Sequence, residues 1–341
     1  MTQASATVFD VAREAGVSAA TVSRVLNGTA RVHPDKAERV RSAMRHLGFK
    51  GNPLARGLLA GQLTMVGVVV PNLSDEFCGA LVTGIEQELR SRGIHMLCSL
   101  GHDDAQEERR VLSIFEQREL SGLILLTDKV PDAVLLELAT HKLPFVVLNR
   151  SLPELAAHCI RLDNVRGGYL ATQHLLELGH TRIAHLTGSL TRLDVRERLE
   201  GYRMALRQAD IAFDESLLVA SSTEAWGEAE GRAMFKRLLE RAQFSALFAA
   251  NDFLAIGALR ELRSRGLQMP DDLSLVSYDN RSFTELATPA LTTVDYPKFE
   301  MGQRAAAHLA ALIAGDSPPP LPLLEPTLVV RESTAAWVRR L

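Results

Sequence analysis

The sequence predicts an α/β protein in two parts: a small all-α helix-turn-helix head, then a two-lobed core of doubly wound parallel sheet. Three observations predict it. Residues 7–27, TVFDVAREAGVSAATVSRVLN, read as two short helices around a glycine turn. From Leu63 onward, apolar runs alternate with helical stretches, the pattern of strand–helix–strand units. Charge is segregated as well. The net charge is −3, yet the first 61 residues carry nine Lys and Arg against four Asp and Glu, a surplus of five that leaves the remainder eight negative.

In the first helix Val8, Val11 and Ala12 face inward. Gly16 stands where the chain turns sharply, and Val17 plugs the joint. Ser18 can cap the second helix, because its hydroxyl can accept from an orphan backbone N–H. Val22, Val25 and Leu26 recur at helical spacing, which leaves Ala19, Ala20, Thr21, Ser23, Arg24 and Asn27 on the outer face. A helix that is small and polar outside, with one arginine, suits a DNA major groove. An ordinary helical hairpin opening a larger domain shares that spacing. A solvated face would explain the basic surplus but not its segregation, which confines phosphate attraction to the head. A third helix runs from about Pro34, a fit for the first turn, to His46, with Val40, Met44 and Leu47 on one face. Next comes GFKGNPLARGLLAGQL, whose Gly48, Gly51 and Gly57 make it a weak helix by itself. It reads as a linker, with leucines that can also pack on the body.

The body strands are expected at 65–70, 95–100, 122–126, 145–149, 182–188, 246–251, 273–279 and 291–297, as buried parallel strands. Helices are expected near 77–92, 104–118, 132–140, 165–179, 195–209, 228–242, 252–264 and 298–313. About 280 residues exceed one comfortable core, so two lobes are expected. SPPPLPLLEP (317–326) reads as a stiff connector before a last strand, TLVVRES (327–333).

Ligands of open α/β sheets sit beyond the carboxyl ends of strands. Asn149 closes FVVLN, Asn251 closes ALFAAN and Asp279 closes LSLVSYD. A sugar needs paired donors and acceptors for its hydroxyls and an apolar wall for its C–H face. Asp279 can accept from two hydroxyls, Arg198 can donate as a fork, and the asparagines can do both. Phe77 and Trp226 can stack on the ring, and Arg150 and Arg196 stand nearby in the pattern. Each also has a plainer reading. Strand-end asparagines cap neighbouring helices, Trp226 can belong to the core, and Arg198 can pair with Glu197 or Glu200 on its own helix.

Several classes are excluded or opposed. No apolar run of about eighteen residues suggests a membrane span. MTQASATVFD lacks the basic segment and apolar core of a secretory signal. Cys78, Cys98 and Cys159 lack metal-ligand spacing and read as buried free thiols in a reducing compartment, so a cytoplasmic protein is expected. No GxGxxG or GxxxxGK[ST] opens a helix, and the GGY at 167–169 lacks the spacing. A glycosidase would need a second carboxylate across from Asp279, and no G-x-S-x-G elbow is present. No catalytic residue, cofactor or metal site is expected.

DVAREAGVSAATVSRVLN (10–27) resembles the helix-turn-helix of the lactose-repressor/galactose-repressor (LacI/GalR) family almost letter for letter. The body resembles the two-lobed core these repressors share with periplasmic sugar-binding proteins. NLSDEFCGALVTGIE (72–86), LATQHLLELGHTRIAHLTG (170–188), RLEGY (198–202), AANDFLAIGAL (249–259), VSYDN (276–280) and LTTVDYP (291–297) carry that likeness. The NR at 149–150 and the order of LP, CI and LD after it point to the galactose-repressor branch, while three arginines near one cleft suit an acidic sugar equally.

The resemblance implies a division into a head at 1–50, a hinge helix or linker at 51–62 and an effector-binding core at 63–341. The N-lobe would hold about 63–163 and 292–323, the C-lobe about 164–290 and 325–341, with crossings near 163, 291 and 324. It implies that Ala19, Ala20 and Arg24 face base edges while Thr7, Thr21, Ser23 and Asn27 hold phosphates. A hinge helix with Leu54, Ala55 and Arg56 would push Leu58 into the minor groove. Arg198 matches the arginine of the family's RLxG[YFW] turn, and Trp226, five residues before Gly231, matches its aromatic. Asn251 matches its ND pair and Asp279 the first acid of its GYDD motif. Phe77 matches its PFF segment, but Glu76 and Cys78 replace the proline and the second phenylalanine, and Asn280 replaces the second acid.

The expected protein is thus a homodimeric repressor of a near-palindromic double-stranded DNA operator, coupled to a small sugar-like effector. No leucine heptad follows residue 333, so no tetramerising tail is expected. Control by a corepressor or a protein partner is the alternative within this fold. A transport-type sugar-binding protein and a sugar-acting enzyme are the rivals outside it.

Overall fold

The computed structural model describes residues 6–27, 32–49, 64–118, 120–127, 129–141, 143–223 and 226–337. The chain splits into two compact units, one of the residues up to Met65 with Gly93–His95, the other of Val66–Arg92 with Met96 onward. The linker expected at 51–62, with Leu54, Ala55 and Leu58, lies outside the described residues.

The head holds α1 (Val8–Ala15), α2 (Ala19–Asn27) and α3 (Pro34–His46). Thr7 and Asp10 form a capping box that satisfies orphan donors at the start of α1. Gly16 ends α1 at φ +62°, a left-handed turn that glycine adopts without a Cβ penalty. Ser18 Oγ accepts from the Thr21 N–H at 3.2 Å, the cap that its position suggests. Val11, Ala12, Ala15, Val22, Val40 and Ala43 make the core, closed by Val8, Val17, Val25, Leu26, Met44 and Leu47.

The body strands are β1 (Met65–Val70), β2 (His95–Leu100), β3 (Gly122–Leu126), β4 (Phe145–Leu148), β5 (Cys159–Ile160), β6 (Ile183–Thr187), β7 (Leu218–Ala220), β8 (Ala246–Ala249), β9 (Ser274–Tyr278), β10 (Thr292–Asp295) and β11 (Thr327–Val329). They form two sheets, ordered β2-β1-β3-β4-β5 and β11-β10-β9-β8-β6-β7. GLILL and FVVL are continuous apolar runs because helices cover both faces of a parallel sheet. They pair in parallel, Leu123 opposite Phe145. In the second sheet β6, β8, β9 and β10 are parallel to one another, and β11 closes the edge antiparallel to β10. HMLCSL departs from the buried strand that its apolar run predicts. It is the edge strand β2, with His95 and Leu97 exposed and Met96 and Cys98 half-buried.

The helices are α4 (Glu76–Ser91), α5 (Ala105–Gln117), α6 (Asp132–Thr140), α7 (Asn164–Glu177), α8 (Leu193–Gln208), α9 (Glu228–Arg241), α10 (Asp252–Ser264), α11 (Ser282–Leu286) and α12 (Lys298–Ile313). Three helix pairs touch backbone to backbone through reciprocal glycines: α4 with α12 at Gly84 and Gly302, α7 with α8 at Gly168 and Gly201, α9 with α10 at Gly231 and Gly257. A Cβ on any of the six would fall 2.0 to 2.5 Å from a carbonyl oxygen of the partner helix.

The chain passes from the first sheet to the second between β5 and β6. It returns after β10, since α12 packs on β3 and β4 of the first sheet, and crosses again before β11. The return expected near 291 therefore lies beyond Asp295. LTTVDYP is a strand of the second sheet, paired with β9 and β11, so residues 292–295 leave the N-lobe they were assigned to.

Candidate functional site

The loops that leave the carboxyl ends of both sheets face one cleft of about 600 Å³ within the body. Phe77, Asn149, Arg198, Trp226, Asn251 and Asp279, the six effector candidates from the sequence, all line it, as do Arg150 and Arg196.

Asn149 follows β4 at φ +57°, a left-handed conformation that asparagine tolerates better than most residues. Its N–H donates to the Ile160 carbonyl at 2.9 Å, which leaves the side chain to the cleft. Asn251 follows β8 and does cap a helix. Its Oδ1 accepts from the Leu254 N–H at 2.7 Å at the start of α10, while its Nδ2 donates to the Trp226 carbonyl at 3.2 Å. It thus fixes one wall of the cleft.

Asp279 follows β9 at φ +107° and is buried. The Tyr296 hydroxyl donates to its Oδ1 at 3.2 Å. Arg198 Nη1 lies 3.8 Å from Oδ1 and Arg281 Nε 3.7 Å from Oδ2. Burial raises the Asp279 pKa, while Arg198 and Arg281 oppose the rise. Behind it the buried Asp252 accepts from Thr293 Oγ1 at 3.0 Å and from the Arg281 N–H at 2.8 Å. Burial, and then the charge of Asp279, push the Asp252 carboxyl up to about 7.

Arg198 reaches the cleft from α8. Its Nε donates to Asn164 Oδ1 at 3.1 Å, its Nη1 donates to the Ala250 carbonyl at 2.6 Å, and the guanidinium lies 3.7 Å from the centre of the Tyr278 ring. Burial alone would lower its pKa, but Tyr278, Asp279 and Asp194 raise it, so it stays charged. It does not use the glutamates on its own helix. Glu197 bonds Arg161 and Glu200 bonds Arg207.

Trp226 packs partly on the core of the second sheet, and its ring has Arg192 at 5.2 Å and Arg198 at 6.0 Å. The ring expected to stack on a ligand is thus already met by guanidinium groups. Phe77, in the first turn of α4, stands edge-on to Tyr296 with ring centres 5.9 Å apart.

Sequence reasoning missed Asp75, Arg192, Asp194, Arg281 and Tyr296, which also line the cleft. Arg281, two residues past Asp279, carried the same strand-end signal, and Asp75 carried that of a helix cap. Two bridges join the sides of the cleft: Arg281 Nη2 donates to Asp75 Oδ2 at 2.8 Å, and Ser282 donates to Glu76 from its N–H at 2.9 Å and its hydroxyl at 2.5 Å.

In the head, Ala20, Ser23 and Arg24 are exposed on α2, while Ala19 leans on the head core. The Thr21 hydroxyl lies 3.0 Å from Ser18 Oγ, and the Thr7 hydroxyl donates to Asp10 at 2.6 Å, so both are engaged in capping. Asn27 ends α2, and its side chain lies outside the description. No described helix is long and apolar enough to cross a membrane.

A helical head on a two-sheet body with a strand-end cleft is the build of a bacterial transcriptional regulator. The comparisons agree. Residues 7–52 match the model of bacterial regulatory proteins of the lacI family, and residues 172–334 match a periplasmic binding protein-like domain. The chain is 35% identical to the transcriptional regulator DegA of Bacillus subtilis over 96% of its own length and 98% of that protein's. It is 36% identical to the regulator GalR of Escherichia coli, covering 97% and 96% of the two chains. Among solved structures, a complex of the regulator CelR with cellobiose superposes with a TM-score of 0.73 at 34% identity, covering 96% of this chain and 99% of that one. The lac repressor dimer bound to operator and the anti-inducer ONPF gives 0.77 at 29% identity, covering 98% and 100%. The chain belongs to the lacI family of bacterial regulatory proteins: it is a DNA-binding transcriptional regulator, and its named relatives are regulators rather than enzymes.

Proposed function

We propose that this regulator represses transcription from a near-palindromic operator and that a sugar held in the cleft sets its operator affinity. The observation that carries the reading is the convergence of Phe77, Asn149, Arg198, Trp226, Asn251 and Asp279 on one cleft, in a chain that also has a capped helix-turn-helix head. CelR with cellobiose and the lac repressor with operator and ONPF support it. The division is a head at 1–50, a hinge at 51–62 and an effector core beyond, with the protein at work in the cytoplasm. Ala19, Ala20 and Arg24 face base edges. Thr7, Thr21, Ser23 and Asn27 lie along phosphates, and a hinge helix that carries Leu54 and Ala55 pushes Leu58 into the minor groove.

The working unit is a homodimer, which places two heads on two half-sites about one helical turn apart. Ile256, Phe283 and the strongly exposed Leu286 line an apolar surface groove of the body, which a second copy would cover.

Asp279→Ala tests the cleft. The variant should bind operator DNA like the parent in a fluorescence-anisotropy titration, yet its affinity should no longer change with the sugar that shifts the parent. A normal response in the variant would move the effector site elsewhere.

A further inference from the structure

Arg281 belongs to the lobe of the second sheet but is held by the lobe of the first. Its Nη2 donates to Asp75 Oδ2 at 2.8 Å, and Asp75 is the residue that caps α4. Its Nε is buried with no hydrogen-bond partner. Asp279 Oδ2, on its own lobe, lies 3.7 Å from that nitrogen, close enough to attract it but too far to bond. A guanidinium with one bare donor beside a carboxylate it does not reach has a second place to go. While Asp75 holds it, it sits 4.6 Å from the centre of the Phe253 ring, within reach of the ring's negative face.

Phe253 stands at two surfaces at once. It is the second residue of α10, half-buried, and it lines both the cleft and the apolar groove of about 380 Å³ on the body surface. Its ring meets that of Phe283 in α11, with centres 5.4 Å apart, and Phe283 lines the groove as well. Arg281, Phe253 and Phe283 thus make a continuous stack from cleft to groove. The groove suits a second copy of this chain. Leu286, 82% exposed, projects beside the hollow of Phe253, Ile256 and Phe283. The rim carries both signs, Glu228 against Arg260 and Arg263. A patch with a knob, a hollow and both charges can match itself across a twofold axis.

We propose that Phe253 couples lobe closure to subunit association. With the lobes drawn together, Asp75 holds Arg281 against Phe253, the ring is fixed as a wall of the groove, and the dimer tightens. With the lobes parted, Arg281 turns to Asp279, the ring loses its backing, and the dimer loosens. The inference rests on the reading above that a second copy covers the groove, and adds what regulates that contact. By linkage the dimer favours the closed body as much as closure favours the dimer. Two half-sites need two heads, so closure also supports operator binding through assembly.

Dilution of fluorescently labelled full-length protein, read by sedimentation velocity, measures the dimer dissociation constant of parent and variants. Leu286→Glu puts a charge on the apolar knob and should weaken the dimer at least about a hundredfold. Asp75→Ser keeps an oxygen to cap α4, is too short to reach Arg281, and lies outside the groove. It should weaken the dimer about tenfold, because a loss of about threefold per stack counts twice in a symmetric pair. Phe253→Leu keeps an apolar wall and removes the aromatic face. In that background Asp75→Ser should change the constant by less than about twofold.

The outcomes separate the two levels. If Leu286→Glu dissociates the dimer while Asp75→Ser keeps the parental constant, the groove stands as the interface and the coupling is overturned. If Asp75→Ser weakens the dimer as much with Phe253→Leu as without it, the path does not run through Phe253 and the proposal is again overturned. If Leu286→Glu associates like the parent, the groove belongs to another occupant, and the coupling falls with the interface reading.

Discussion

Arg24 and His185 stand in opposite environments, one exposed on the head and one buried in the body. Arg24 projects exposed from α2, where a guanidinium can meet the O6 and N7 of guanine as a fork. Arg24→Ala should cost about 1–3 kcal/mol of operator binding and leave binding to unrelated DNA little changed; equal losses on both DNAs in an anisotropy titration would assign Arg24 to phosphate instead. His185 is fully buried between the rings of Tyr202 and Phe248, and its Nδ1 donates to the Phe248 carbonyl at 2.9 Å. Burial first of all, against that hydrogen bond, lowers its pKa from 6.5 to about 4. As the pH falls below 6.5, the unfolded chain takes up a proton that the folded chain refuses until about 4. The stability this histidine confers is therefore full above that window and lost through it, on the order of 3 kcal/mol. His185→Phe removes the titration, so the stability gap between parent and variant, read by urea unfolding, should shift toward the variant from neutral pH to about pH 5. A gap independent of pH would show that His185 does not titrate this way. Residue positions at strand ends were legible in the sequence, because the end of an apolar run marks the place. Their partners were not: Arg198 rests on Asn164, 34 positions away, and Arg281 on Asp75, 206 positions away.

At the scale of elements, long runs were read well and short ones poorly. The helix at 298–313 and the strand at 65–70 coincide with α12 and β1, because each presents several periods of its pattern. β5 and β7, two and three residues long, present none, and α11 is a single short turn of helix beyond a strand end. The reciprocal glycines were equally silent in sequence, since a glycine within a helical run signals only weakness. In space they let helix backbones touch. Gly201 faces the Val165 carbonyl, and an added Cβ would lie 2.0 Å from that oxygen, so α7 and α8 must move apart to admit it. Gly201→Ala should therefore destabilise the body by about 1–3 kcal/mol despite alanine's better helix propensity. Gly79→Ala, inside α4, is the control, because nothing lies within 4 Å of a Cβ there. Thermal unfolding of the two variants should separate them; equal midpoints would mean that the helix pair relaxes without cost.

For the whole molecule, the question is how an event in the cleft is felt by the head. The body carries its own closure contacts. Glu76 accepts two hydrogen bonds from Ser282, and these bonds hold its carboxyl below the usual range. Asp75 accepts from Arg281, which also flanks Asp279. Glu76 stands where the family pattern has proline, a residue with no carboxylate to offer across the cleft. This chain thus holds its lobes together by a contact independent of ligand. A ligand that touches both lobes binds best when they are already drawn together, so part of the closing cost is met in advance. Glu76→Ala removes the contact without touching Asn149, Trp226 or Asp279. It should weaken sugar binding roughly threefold, the scale of one net hydrogen bond. Linkage then fixes a second result. If the sugar lowers operator affinity by some factor, bound operator must lower sugar affinity by the same factor. A variant that changes only the cost of closure should alter both factors equally. Titrating sugar with and without operator, and operator with and without sugar, on parent and Glu76→Ala measures all four. A variant that loses sugar affinity but keeps the parental coupling would place closure outside the path between cleft and head.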